Sequence, residues 1–145
     1  MPLPMKQTLM SISALTIVAT ACGAMSVPAP ALDSATMLTG SQEVPPVDTK
    51  ATATSSIAVG DDMSVTGNVT VSGMEATMAH IHEGAVGESG PAIVTLVKTS
   101  DTQWSVPPDT KLTAALYQKF KAGELYVNVH SAAHKSGEIR LQLKP

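Results

Sequence analysis

The stretch MSVTGNVTV, residues 63–71, decides the fold class. Met63, Val65, Gly67, Val69 and Val71 fall on one face, and Ser64, Thr66, Asn68 and Thr70 on the other. Successive side chains on a strand project to opposite faces, so a period of two marks a half-buried strand, whereas a helix repeats at three and four. Just before it, Gly60-Asp61-Asp62 is a turn cluster, and Ile57 and Val59 alternate beyond that turn. The segment therefore reads as a hairpin.

Outward from this hairpin the pattern stays that of a β protein. MAHIH (78–82) is short and alternating, GAVGESGP (84–91) is a loop, and residues 92–97 form a short apolar strand. Residues 104–109 contain Pro107-Pro108 and are excluded as a central strand. One helix is predicted, over 113–121. Thr113 is its N-cap, Leu112 and Tyr117 stand at staple positions, and Gly123 ends it. A second hairpin follows: Leu125, Val127 and Val129 share a face, as do Ile139, Leu141 and Leu143, with residues 131–137 as the loop. Short strands with turn punctuation and one helix predict an antiparallel β-sandwich or Greek-key barrel, with the helix covering one end.

The whole chain has 145 residues, enough for one compact domain. Nine Lys and Arg stand against twelve Asp and Glu, a net charge of −3 without a basic run, which excludes a nucleic-acid partner. With one Trp, two Tyr and one Phe, the core must be built mainly from Val, Ile, Leu, Ala and Met. The single cysteine, Cys22, rules out an internal disulfide.

Residues 1–21 are set apart from the fold. Lys6 is followed by TLMSISALTIVATA (8–21), an apolar run too short to span a bilayer and ending in small residues, as a signal peptide does. The ending Ala19-Thr20-Ala21-Cys22-Gly23 resembles a bacterial lipobox, with Ala19 where Leu is usual. That resemblance implies cleavage before Cys22 and lipidation of its thiol, with several acyl chains giving a stable anchor. The alternative is a plain secretory signal with Cys22 a bystander. Either way the domain is exported. Gly23 lacks the aspartate of inner-membrane retention, which points to the periplasmic side of the outer membrane or to the cell surface. Residues 22–36, small, polar and Pro-bearing, form a tether, and the domain occupies residues 37–145.

All four histidines fall in two short segments, His80 and His82 in AHIHEG and His130 and His134 in NVHSAAHKSGE. Residues i and i+2 of a strand lie side by side, about 7 Å apart. His130 ends a strand, and the loop carrying His134 can turn back toward it. If the two segments are neighbours, three or four nitrogens converge. An all-imidazole set without thiolate suits copper or zinc. Glu83 and Glu138 are candidate further ligands or acceptors for an imidazole N–H, and Glu138 shares the parity of Arg140, so a cross-strand ion pair is its other reading. Met78 shares the parity of His80 and His82 and would add a thioether for Cu(I); filling a core gap is its plainer role. A structural polar cluster remains the alternative to metal binding. No nucleophile elbow or phosphate loop is present.

Three blocks, LTGSQEVPPV (38–47), AHIHEGAVGESGP (79–91) and LTAALYQKFKAGELYVNVHSAAHKSGEIRLQL (112–143), together resemble the CHRD domain, named after chordin and widespread in bacterial secreted proteins and lipoproteins. The resemblance implies an extracytoplasmic β-rich domain and carries no established catalytic activity. The family's histidine motifs map onto His80, His82 and His130; the position near His134 is often another residue. AHIHEG is also similar to the copper-binding strand of copper–zinc superoxide dismutase, although no second, zinc-site set is evident. Three readings follow: a metal-binding protein, copper before zinc, through His80, His82, His130 and His134; a protein-interaction module with structural histidines; and a dismutase-like redox enzyme.

Overall fold

The computed structural model describes residues 36–145; the leader (1–21) and the lipobox with Cys22 lie outside the described residues. Eleven strands and one helix follow one another as β1 (Met37–Thr39), β2 (Thr52–Ser55), β3 (Ala58–Val59), β4 (Val65–Thr66), β5 (Asn68–Ser72), β6 (Ala76–Glu83), β7 (Ala92–Thr95), β8 (Val97–Lys98), β9 (Gln103–Ser105), α1 (Ala114–Lys121), β10 (Leu125–Ser131) and β11 (Ile139–Gln142). Nine of the strands make one antiparallel sheet in the order β7-β6-β10-β11-β1-β2-β5-β9-β8, and β3 pairs with β4. The two edges, β7 and β8, are consecutive in the chain and meet at Leu96, which is 2% exposed and donates its N–H to Ala79. The sheet therefore curls into a nearly closed barrel. Leu38, Val69, Ile81, Val127, Val129 and Ile139 fill its interior, each at most 1% exposed.

The expected antiparallel β architecture with one short helix is what the chain adopts, with three local differences. The long strand read over 63–71 breaks at Gly67, whose φ of +111° only glycine adopts readily; β4 turns off to pair with β3 while β5 stays in the main sheet. The single strand read over 92–97 is divided at Leu96 between opposite edges of the sheet. Gln103–Ser105 pairs on both sides, with β5 and β8, and the chain reaches Pro107-Pro108 only after those ladder bonds end.

The helix starts where the sequence places it: Thr113 Oγ1 accepts from Leu116 N–H at 3.2 Å. Gly123, at φ +74°, donates to Phe120 C=O, and Glu124 donates to Lys119 C=O, a Schellman closure of the last turn. Among the described residues no helix is long and apolar enough to cross a membrane.

Candidate metal centre

Strand β10 is buried along its whole length. Leu125, Val127 and Val129 face the barrel core, so Tyr126, Asn128 and His130 line the opposite face, and that face is covered too. Antiparallel register sets the rows on it. Asn128 stands between His80 of β6 and Arg140 of β11, Tyr126 between His82 and Gln142, and His130 opposite Met78. The result is a polar layer on the outside of the sheet, closed over by loops 84–91 and 40–50.

Arg140 fastens the first loop. Its guanidinium donates to Glu88 C=O at 2.6 Å and Ala85 C=O at 3.0 Å, and stacks 3.5 Å from the Tyr126 ring centroid. Tyr126 in turn stacks on the His82 ring, centroids 4.9 Å apart and planes 7° apart. Gly90 clips both rings: its N–H donates to Tyr126 Oη at 3.1 Å, and its carbonyl faces His82 Nδ1 at 3.0 Å. Under the second loop, Asn128 Nδ2 donates to Glu43 Oε1. Glu43 is buried, and its pKa is pushed up to about 7: burial outweighs the Arg140 charge and the hydrogen bonds from Val44 and Asn128.

Against this backing His80, His82 and His130 converge, with one ring nitrogen from each lying within 4.8 Å of the other two. Carbonyls only accept, so the bonds to Gly90 C=O and to Lys135 C=O (2.9 Å) put the protons of His82 and His130 on Nδ1. Nε2 is thus the nitrogen of each ring that keeps a lone pair. His82 Nε2 is buried without a hydrogen-bond partner, and His130 Nε2 lies 3.0 Å from His80 Nδ1. Ring nitrogens at about 2.0–2.1 Å from a metal stand roughly 3–4 Å apart, so a pair at the 4.8 Å limit has to close by about 1–2 Å. Burial lowers the pKa of each imidazole; the facing His130 and His82 lower His80 further, while carbonyl hydrogen bonds partly oppose the shift in His82 and His130. All three are neutral near pH 7, the form that ligates. Two β-bulges flank the pair on β6, one where Ala76 and Met78 oppose Ser131 and His130, the other beside His82. Such bulges re-aim side chains.

The remaining residues singled out from the sequence lie elsewhere. His134 is half-buried in the β10–β11 loop and outside the converging set; its N–H donates to Ser131 Oγ at 3.1 Å. Glu83 pairs with Lys119 at 3.5 Å. Glu138 accepts from Thr49 Oγ1 at 2.7 Å and Ser131 Oγ at 2.5 Å. Burial would raise its pKa, but these two hydroxyls and the facing His134 bring it below the usual value. Among the described residues Glu138 forms no ion pair with a Lys or Arg, cross-strand or with its neighbour Arg140, which is committed to loop 84–91. Met78 fills no core gap: it is 46% exposed. Tyr126, Asn128, Arg140, Gly90 and Glu43 were not foreseen as supports. The alternation of LYVNVHS did hold a signal, since it places Tyr126 and Asn128 on the face of His130. Neither of two surface hollows, about 490 and 270 Å³, is lined by a histidine.

Fold and site together define a small antiparallel β-domain with three neutral imidazoles converging on its outer face. The family model for the CHRD domain matches residues 34–143, and the chain belongs to the CHRD family. No curated protein and no solved structure matches the chain.

Proposed function

We propose that the protein is an exported, lipid-anchored metal-binding domain that holds one transition-metal ion, copper before zinc, through His80, His82 and His130. One observation carries the reading: His82 Nε2 is buried with no partner, while its other nitrogen is fixed by a carbonyl. A buried acceptor left empty is costly, and a ligating nitrogen is oriented in just this way, by a carbonyl on the far side of the ring. His130 repeats the arrangement through Lys135. Binding needs only these ligands and no substrate hollow. His134 is an optional further ligand, reached by movement of its loop. Membership of the CHRD family supports an extracytoplasmic domain in general. The anchor on Cys22 and a place on the periplasmic side of the outer membrane or at the cell surface rest on the lipobox resemblance; Cys22→Ser is expected to release the chain from the membrane fraction.

Titration with Cu(II) and Zn(II) tests the site. The parent chain is expected to bind one equivalent and the His80→Ala/His82→Ala variant none. Absence of stoichiometric binding by the parent refutes the reading. One contact favours the alternative, a protein-interaction module with structural histidines: His80 Nδ1 and His130 Nε2, at 3.0 Å, satisfy each other without an ion. In that case metals leave the stability of the chain unchanged.

A further inference from the structure

Met78 is the one large apolar side chain of β6 left in solvent, 46% exposed, on the face where the imidazoles meet. It is the cross-strand partner of His130 and lies two residues from His80 on the same strand. Directly opposed residues have Cβ atoms about 4.5–5.5 Å apart, and a methionine side chain turns about three bonds, so its sulfur can swing over the cluster from the solvent side. The β-bulge beside it, between Ala76 and Met78, sets its direction.

The charges point the same way. Among the described residues no carboxylate or thiolate joins the three histidines, so a bound ion keeps its full charge. Arg140 lies behind His82 in the Tyr126 stack, and its charge acts on that imidazole. Glu43, the carboxylate facing Arg140, is about half protonated near neutrality and offsets it only in part. An uncompensated dication costs more here than a monocation, and a soft thioether favours the monovalent ion further.

We propose that this site, on the metal-binding reading above, selects monovalent copper, with Met78 supplying a thioether as the fourth donor beside His80, His82 and His130. The test uses the full chain carrying Cys22→Ser, so that its one thiol cannot compete for copper. Cu(I) affinity is read by competition with a chromogenic chelator under anaerobic reduction, Cu(II) affinity by competition in air, and Zn(II) affinity by calorimetry. The parent is expected to hold Cu(I) more tightly than Cu(II) or Zn(II). Met78→Leu, which keeps volume and exposure, is expected to weaken Cu(I) by about 10–100-fold and to leave Zn(II) within about twofold. Cu(I) is diamagnetic, so the ε-methyl resonance that Met78→Leu deletes is expected to shift when the parent is loaded. Unchanged Cu(I) affinity in Met78→Leu, an unshifted methyl, or tighter binding of Cu(II) or Zn(II) than of Cu(I) overturns this inference and leaves the metal site standing. A parent that binds none of the three ions overturns both.

Discussion

Replacing Glu43 by glutamine isolates the energetics of the polar layer behind the imidazoles. The carboxyl is 6% exposed and has a pKa of about 7 instead of 4.5, chiefly through burial. A folded-state pKa raised above the unfolded one gives stability that is complete below the unfolded value and is lost as pH rises through the folded one. For Glu43 the loss begins near pH 4.5 and is complete above about 7. At about 1.4 kcal/mol per unit, the full change is roughly 3 kcal/mol. A glutamine side chain at this position would have the shape of the protonated acid, keep the acceptor that Asn128 uses, and carry no charge at any pH. The stability of Glu43→Gln relative to the parent is therefore expected to start near zero at acid pH and rise by roughly 3 kcal/mol by about pH 8. Urea denaturation with chelator present, followed by the fluorescence of the single, buried Trp104, measures both proteins across this range. The three cluster imidazoles titrate alike in both and cancel in the difference. Parallel stability curves would refute the buried, protonated carboxyl.

The lowered imidazole pKa values give metal release a definite sign. A protonated imidazole cannot ligate, and the fold resists protonation, so half-release of Zn(II) is expected below pH 6.5, the ordinary histidine value. Equilibrium dialysis across the acid range reads the midpoint, and one at or above that value counts against the geometry. Gly90→Ala is the third perturbation: an added Cβ would collide with the Glu83 carbonyl, displacing the peptide that holds both Tyr126 and His82. Metal affinity by calorimetry is expected to fall about 10–100-fold, and unchanged affinity would show that His82 needs no such support.

The sequence was most legible where local rules act alone. Thr113 and Gly123 bound α1 because capping is decided within a few residues, and the β10–β11 hairpin shows in the parity of its Leu, Val and Ile. Clustering of histidines in two segments gave three members of the site. Strands β1 and β2 escaped notice: β1 has three residues, and Thr52-Ala53-Thr54-Ser55 has no large apolar side chain to mark its buried face. The supports of the site escaped for another reason. Arg140 meets Glu88, and Asn128 meets Glu43, across spans of 52 and 85 residues, and nothing in either segment announces the other. Parity placed Glu138 and Arg140 on one face but could not say that a loop would reach Arg140 first.

The seam at Leu96 bears on how this domain behaves among copies of itself. An open β-sheet invites a neighbouring chain to add a strand along its unpaired rim. Here the rims are four and two residues long, they are consecutive in the chain, and they meet at one buried leucine. Pro91 stands just before one rim and Lys98 within the other, two residues that discourage strand addition. These short, interrupted rims guard the domain against edge-to-edge strand addition.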